Sequence, residues 1–210
     1  MVYNLPLRVS TLRSLGAYAN VFAIESFMDE LAHSCGRNPL EFRMDYLNDY
    51  RAKAVLEAAV EKANSRIVTK SGRHGRGFAL AQYKNSKCYA AVAVDLLVDD
   101  YGSIKLLRSV IAADAGQVID PDGLRSQLEG GLLQSASWTL KEQVKFDEKG
   151  ITSQDWESYP IMTFAEVPEI ETILIDRKGS PVLGAGEATQ GPTAAAISNA
   201  VFDAVGLRLR

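Results

Sequence analysis

The sequence predicts an α+β fold, with mixed sheets and packed helices, and three observations carry that prediction. Three helical patterns follow one another in the first third of the chain. The hydrophobic period then changes to strand-like alternation. The later strands and helices mingle without a regular strand–helix repeat, which separates α+β from an alternating α/β sheet. The glycine-basic stretch "SGRHGRG" (71–77) sits where the period changes and reads as a loop. It divides the chain into a helical N-terminal segment, residues 1–70, and an α+β portion, residues 71–210.

Each element has its own signal. "NVFAIESFMDELAHSCG" offers Asn20 as an N-cap, an apolar stripe of Ile24, Phe27, Met28, Leu31, Ala32 and Cys35, and Gly36 as a stop. "NPLEFRMDYL" has Asn38 as cap, Pro39 at the first helical position and Glu41 where a capping box wants an acid. "RAKAVLEAAVEKA" places Val55, Leu56, Ala59, Val60 and Ala63 on one face. Strands follow in "GFALAQY", "CYAAVAVDLLV" and "IKLLRSVIAA", with "DDYG" (99–102) as the turn between the last two. A long helix is expected from about Asp122 to Glu142, then a short strand near Val144 to Phe146 and a turn at "DEKG". "EIETILID" (169–176) reads as a further strand. A last helix begins near Pro192 and buries Ile197, Val201, Phe202 and Val205.

Composition excludes several function classes. A formal charge of −3 over 210 residues gives no basic field for nucleic acid, and no Lys/Arg block points to an anionic membrane. No apolar run approaches a membrane span, and "MVYNLPLRVSTLRS" lacks the apolar core of a secretory signal. The expectation is a soluble protein of unassigned compartment. Cys35 and Cys88 read as buried free thiols. With His33 and His74 isolated, no protein-ligated metal is expected.

Three places could carry chemistry. In "LRSQLEGGLLQSASWTL", Gln127, Gly131 and Gln134 share a helical stripe beside Leu124, Leu128 and Leu132. Two adjacent glycines there cost about 1 kcal/mol each against alanine. That cost fits either a close helix crossing or a flat polar ligand bonded by the glutamines. Glu187 sits in "GAGE", ahead of the last helix, among small uncharged residues. It is either the cap of that helix or a catalytic base. Arg13, in "LRSLG" (12–16), either holds an anion or is an exposed loop residue.

Taken together and in order, "LRSLGAYANVFAIESFMDELA", "NPLEFRMDYL", "AADAGQVIDPDGLRSQLEGGLLQSASWTLKEQV", "SYPIMTFAEVPEIET" and "GAGEATQGPTAAAISNAVFDAVGLRLR" resemble the C-terminal part of molybdenum hydroxylase large subunits. This is the xanthine dehydrogenase and aldehyde oxidase family. The resemblance runs from about Leu12 to Arg210 and is nearest to the isoquinoline 1-oxidoreductase and nicotinate dehydrogenase branch.

The resemblance implies a site. Glu187 would be the general base that takes a proton from a molybdenum-bound hydroxide, and Gly186 beside it in the loop would be a cofactor-binding residue. Gln127 would contact a molybdopterin cofactor, expected in its cytosine dinucleotide form, and Gln134 is a further candidate. Arg13, Leu15 and Gly16 would lie by the substrate pocket. The implied activity is oxidoreductase hydroxylation of an N-heteroaromatic or aldehyde substrate with water-derived oxygen.

The sequence also departs from the family. Leu15 replaces the aromatic of the purine enzymes, Asp120-Pro121 replaces a common Asn-Pro, and a tryptophan is missing around Asn64 to Ile67. A Gly-Gln-Gly phosphate-binding turn and the iron–sulfur cysteines are absent from the sequence. The implied partners are therefore the upstream half of the large subunit, or a separate chain supplying it, and an iron–sulfur small subunit, with a homo-oligomer as a further possibility. The isolated chain is expected to be inactive. The alternative is a truncated, non-catalytic domain acting as an interaction or structural unit.

Overall fold

The computed structural model describes residues 11–66 and 72–210. Most of the stretch read for a leader, Ile67, and the first residue of the glycine-basic stretch lie outside the described residues. Three helices open the described chain: α1 (Ala17–Ser34), α2 (Pro39–Tyr46) and α3 (Tyr50–Asn64). Then come strands β1 (Arg73–Gln82), β2 (Tyr89–Val98) and β3 (Ile104–Asp114), and the long helix α4 (Pro121–Leu140). A two-residue hairpin, β4 (Phe146–Asp147) with β5 (Gly150–Ile151), precedes β6 (Glu169–Leu174) and α5 (Gln190–Val205). The fold is α+β. No helix among the described residues is long and apolar enough to cross a membrane.

The main sheet has the order β1-β2-β3-β6. Its first three strands are antiparallel neighbours, and β6 returns parallel to β3. Both faces are covered, which explains the near-continuous apolar run of β2. Val92, Val94, Leu96 and Val98 face the core shared with α4 and α5, whereas Tyr89 and Ala91 pack with α3. Helix α3 buries Val55, Leu56, Ala59, Val60 and Ala63, as its spacing requires. Helix α2 is capped as expected, the Asn38 side chain accepting from the amides of Leu40 and Glu41.

The glycine-basic stretch is strand from Arg73 onward, not a loop. Its glycines serve close packing: a Cβ on Gly75 would stand 1.9 Å from the Ala200 carbonyl oxygen, and one on Gly77 2.1 Å from that of Ala196. Only glycine lets α5 lie this near β1. The short strand expected near Val144 to Phe146 falls on Phe146–Asp147 instead. The last helix starts two residues before Pro192, at Gln190.

Helix α1 keeps only part of the expected burial: Ala32 is fully buried as expected, and Met28 and Leu31 are partly so. Ile24 and Phe27 are 60% and 58% exposed, while Glu25, Ser26 and Asp29 are buried. The inward side is held by charge: Arg43 Nε donates to Glu25 Oε2 at 3.1 Å, Leu80 N to the same oxygen at 3.0 Å, and Arg208 Nη2 to Asp29 Oδ2 at 2.9 Å. Burial pushes the Glu25 carboxyl above its ordinary value, against the pull of Arg43. The helix also starts at Ala17 with Gly16 at the N-cap, so Asn20 lies inside it and caps nothing. Cys35 is the exposed C-terminal cap, against the expectation of a buried thiol. Cys88 is buried, and burial pushes its thiol up to about 12.

Candidate functional site

The site forms where the loop before α1, helix α4 and the start of α5 converge. Helices α4 and α5 cross closely because Gly131 has no side chain. A Cβ there would stand 2.3 Å from Thr189 Oγ1 and 3.2 Å from Gln190 Oε1. Two further bonds fasten the crossing: Thr189 Oγ1 donates to the Leu128 carbonyl at 2.9 Å, and Ser135 Oγ to that of Gln190 at 2.6 Å. Gly131 thus serves a helix crossing. A Cβ on Gly130 would meet nothing within 4 Å.

Across this crossing lies the Arg13–Gly16 loop. Its backbone takes the left-handed region at two non-glycine residues, Ser14 (φ 79°) and Leu15 (φ 51°). Such conformations cost energy and persist where surrounding contacts impose them. Here the contacts come from Arg13. Its Nε donates to the Gly186 carbonyl at 2.6 Å, its Nη2 to the Gln127 side-chain oxygen at 2.9 Å and backbone oxygen at 3.0 Å, and its Nη1 to Gln134 Oε1 at 3.4 Å. With the buried Gln190 amide turned so that both its atoms are satisfied, its oxygen also accepts from Arg13 Nε at 2.7 Å and its nitrogen donates to the Glu187 carbonyl at 3.1 Å. Burial lowers the Arg13 pKa and Glu187 opposes that shift. Arg13 is therefore an anchor joining three segments, not a free loop residue.

Glu187 is half-exposed and does not cap α5. The helix has Thr189 at its N-cap and no side-chain cap bond. The carboxylate is held from elsewhere: Oε1 accepts from the Ser14 amide at 3.1 Å, and Oε2 accepts from the Tyr83 hydroxyl. These two bonds, Tyr83 first, lower its pKa below the ordinary value against the opposing effect of burial; Lys84 and Arg13 add a smaller pull. Gly186 is not demanded by this chain's own packing, since a Cβ there would meet Gln127 Oε1 at an ordinary 3.6 Å.

The structure therefore brings Arg13, Gln127, Gln134, Gly186 and Glu187 into one bonded cluster. Leu15 and Gly16 are exposed beside it, Leu15 at 45%. Gln134 also borders a cavity of about 620 Å³ lined by Leu133, Trp138, Trp156, Ile161 and Phe164. Three participants carry no signal of their own in the sequence: Tyr83, Ser14 and Gln190. Tyr83 stands one position past the end of β1, followed by Lys84 and Asn85 at φ 52° and 51°. A large residue ahead of a Lys-Asn turn is the one cue available.

Molybdopterin fits the residues present. The hydroxyl of Ser14 is buried with no hydrogen-bond partner among the described residues. It stands between the cationic Arg13 and the exposed Leu15, with the Gln127 and Gln134 amides at the surface nearby. A donor-rich, partly open rim of this kind suits an acceptor-rich pterin and its phosphate.

The chain belongs to the molybdopterin cofactor-binding domain family, whose model matches residues 25–168. Within it, the chain is a molybdopterin-binding segment of the xanthine dehydrogenase and aldehyde oxidase type. It is 41% identical over 219 aligned positions to a nicotinate dehydrogenase subunit of Pseudomonas putida, covering 97% of this chain and 18% of that protein. It is 28% identical to the beta chain of the isoquinoline 1-oxidoreductase of Brevundimonas diminuta, covering 96% of this chain and 26% of that one. The chain thus spans between a fifth and a quarter, roughly, of the relatives it matches. The aldehyde oxidoreductase of Desulfovibrio gigas shares the fold, with a TM-score of 0.78 over 95% of this chain and 40% of that one at 15% identity.

Proposed function

We propose that this chain is the part of a molybdenum hydroxylase that holds the catalytic base, and that Glu187 is that base. The observation carrying the proposal is the setting of Glu187. It is half-exposed, kept ionised by uncharged donors, and without an ion pair within 4 Å among the described residues. A carboxylate bound to arginine would have its lone pairs committed; this one keeps lone pairs on both oxygens for a proton.

The overall conversion takes a substrate C–H and water to C–OH, two protons and two electrons. When bound, the molybdenum cofactor supplies the two-electron acceptor and activates the water-derived nucleophile. The chain's residues do the rest. Glu187 accepts a proton at a carboxylate oxygen. Arg13 fixes the Gly186–Glu187 loop by its bond to the Gly186 carbonyl, and it occupies the Gln127 oxygen, which would leave the Gln127 NH₂ group to donate to a bound pterin. Leu15 offers an aliphatic surface to the substrate.

The substrate class that best suits these features is an N-heteroaromatic ring or an aldehyde, in keeping with the names of the relatives. The cofactor is proposed in its cytosine dinucleotide form. The remaining wall of the cofactor cleft and the iron–sulfur clusters come from an upstream segment or partner chains; the exposed Ile24, Phe27, Trp156 and Phe164 support such a covering. The test is Glu187→Gln in the complete enzyme. Turnover is expected to fall by about 10² to 10⁴ with molybdenum and pterin content unchanged. Equal loss of cofactor and activity would mean that Glu187 holds the site together and is not its base.

A further inference from the structure

We propose that Tyr83 is a positioning residue for Glu187, holding one carboxylate oxygen while the Ser14 amide holds the other. The inference deepens the base reading above and rests on it. A glutamate side chain has three rotatable bonds, and one hydrogen bond leaves its carboxylate plane free to swing. Two donors on different oxygens, from segments 173 and 104 residues away, fix both the plane and the direction. What is left free is the outward lone pair on each oxygen.

Tyr83 is built to hold that place. The residue is 7% exposed, one position past the end of β1. Its amide donates to the Cys88 carbonyl at 3.0 Å, and its own carbonyl accepts from Lys87 N at 2.9 Å. The turn so closed contains the left-handed Lys84 and Asn85. One residue further, Cys88 N donates to the Gly184 carbonyl at 3.1 Å, tying this turn to the loop that carries Glu187. The donor and the acceptor therefore ride on one bonded unit. On the other side, Ser14 presents its amide from a left-handed backbone. Unusual backbone on both sides of one carboxylate is the mark of a geometry imposed for a purpose. Burial and the Glu187 bond push the Tyr83 hydroxyl up to about 12, so it stays a donor at all working pH.

The experiment follows the Glu187 carboxyl carbon by NMR in the full 210-residue chain labelled with ¹³C-carboxyl glutamate, the signal assigned by its loss in Glu187→Gln. Tyr83→Phe should move the Glu187 midpoint to higher pH, because a donor to the charged form is lost. Replacing Tyr83 with 3-fluorotyrosine, a more acidic donor that leaves packing intact, should move it the other way. Midpoints unchanged in both variants would overturn the proposal. In the complete enzyme, the acid limb of the kcat/KM profile should shift upward in Tyr83→Phe, with kcat lowered roughly tenfold. A carboxyl midpoint that moves while the acid limb stays put would leave Tyr83 as the holder of Glu187 and overturn the base reading instead.

Discussion

Two carboxylates, Asp114 and Glu187, are both held below their ordinary pKa, and they are held in opposite ways. Asp114, at the end of β3, is fully buried and gripped by arginines from two elements: Arg51 of α3 and Arg177 after β6, with the Gly116 amide adding a bond at 3.0 Å. Burial pushes its carboxyl up, and the Arg51, Arg177 and Gly116 bonds together bring it down further than that. Glu187 is half-exposed and held by a phenol and a backbone amide. A charge neutralised by charges is finished chemically, and its worth is mechanical. A charge steadied by neutral donors keeps its capacity to take a proton. The same carboxylate chemistry thus makes a clamp in one place and, in the function proposed above, a base in the other.

The largest expected effect breaks the clamp. Asp114→Asn keeps the shape but leaves Arg51 and Arg177 without their counter-charge, and should cost about 3 kcal/mol. For a chain of this size that lowers Tm by roughly 6 to 12 °C, read by thermal denaturation. Glu187→Gln is expected to move stability by less than about 1 kcal/mol in the same measurement. A comparable loss in both variants would erase the distinction between clamp and base. Next comes the crossing beside Glu187. Gly131→Ala drives a methyl into Thr189, two residues from Glu187, and should cost about 2 kcal/mol. Its neighbour is the control: Gly130→Ala meets nothing and should gain up to about 1 kcal/mol through helix propensity. If both glycines respond alike, the crossing is looser than the geometry states.

Much of the fold is legible in the sequence because its period reports burial. Helix α3 and strand β2 show their buried faces directly, and the Asn38–Pro39 cap fixes α2. Helix α1 misleads for a physical reason. Its inward face is charged, and satisfying Glu25 and Asp29 requires Arg43, Arg208 and the Leu80 amide, none of which a local pattern can see. Gly75 and Gly77 mislead likewise, since the helix they admit, Gln190–Val205, lies far along the chain. Of the bonded cluster proposed as the site, Arg13, Gln127, Gly186 and Glu187 are singled out by motifs that a family resemblance supplies. Tyr83 is not, because a hydroxyl bonded across 104 residues leaves no mark in spacing.

The smallest effect sharpens the comparison through pH. Both carboxylates have folded pKa values below their unfolded ones, so each contributes stability that is full above the unfolded value and is lost as pH falls through the folded value. Near neutral pH both contributions are present; the window of loss opens below 3.8 for Asp114 and below 4.5 for Glu187. The sign is the same, and the size is not. Asp114 is shielded from water, whereas solvent screens the half-exposed Glu187. Glu166, held down to about 2 by Lys141 and Thr163, adds a same-signed contribution to every variant and cancels in a difference. Plotting Tm from about pH 7 to about pH 3 should therefore show a flatter curve in Asp114→Asn than in the parent chain, with Glu187→Gln lying close to the parent. A Glu187→Gln curve as flat as that of Asp114→Asn would mean that the site carboxylate is a second clamp.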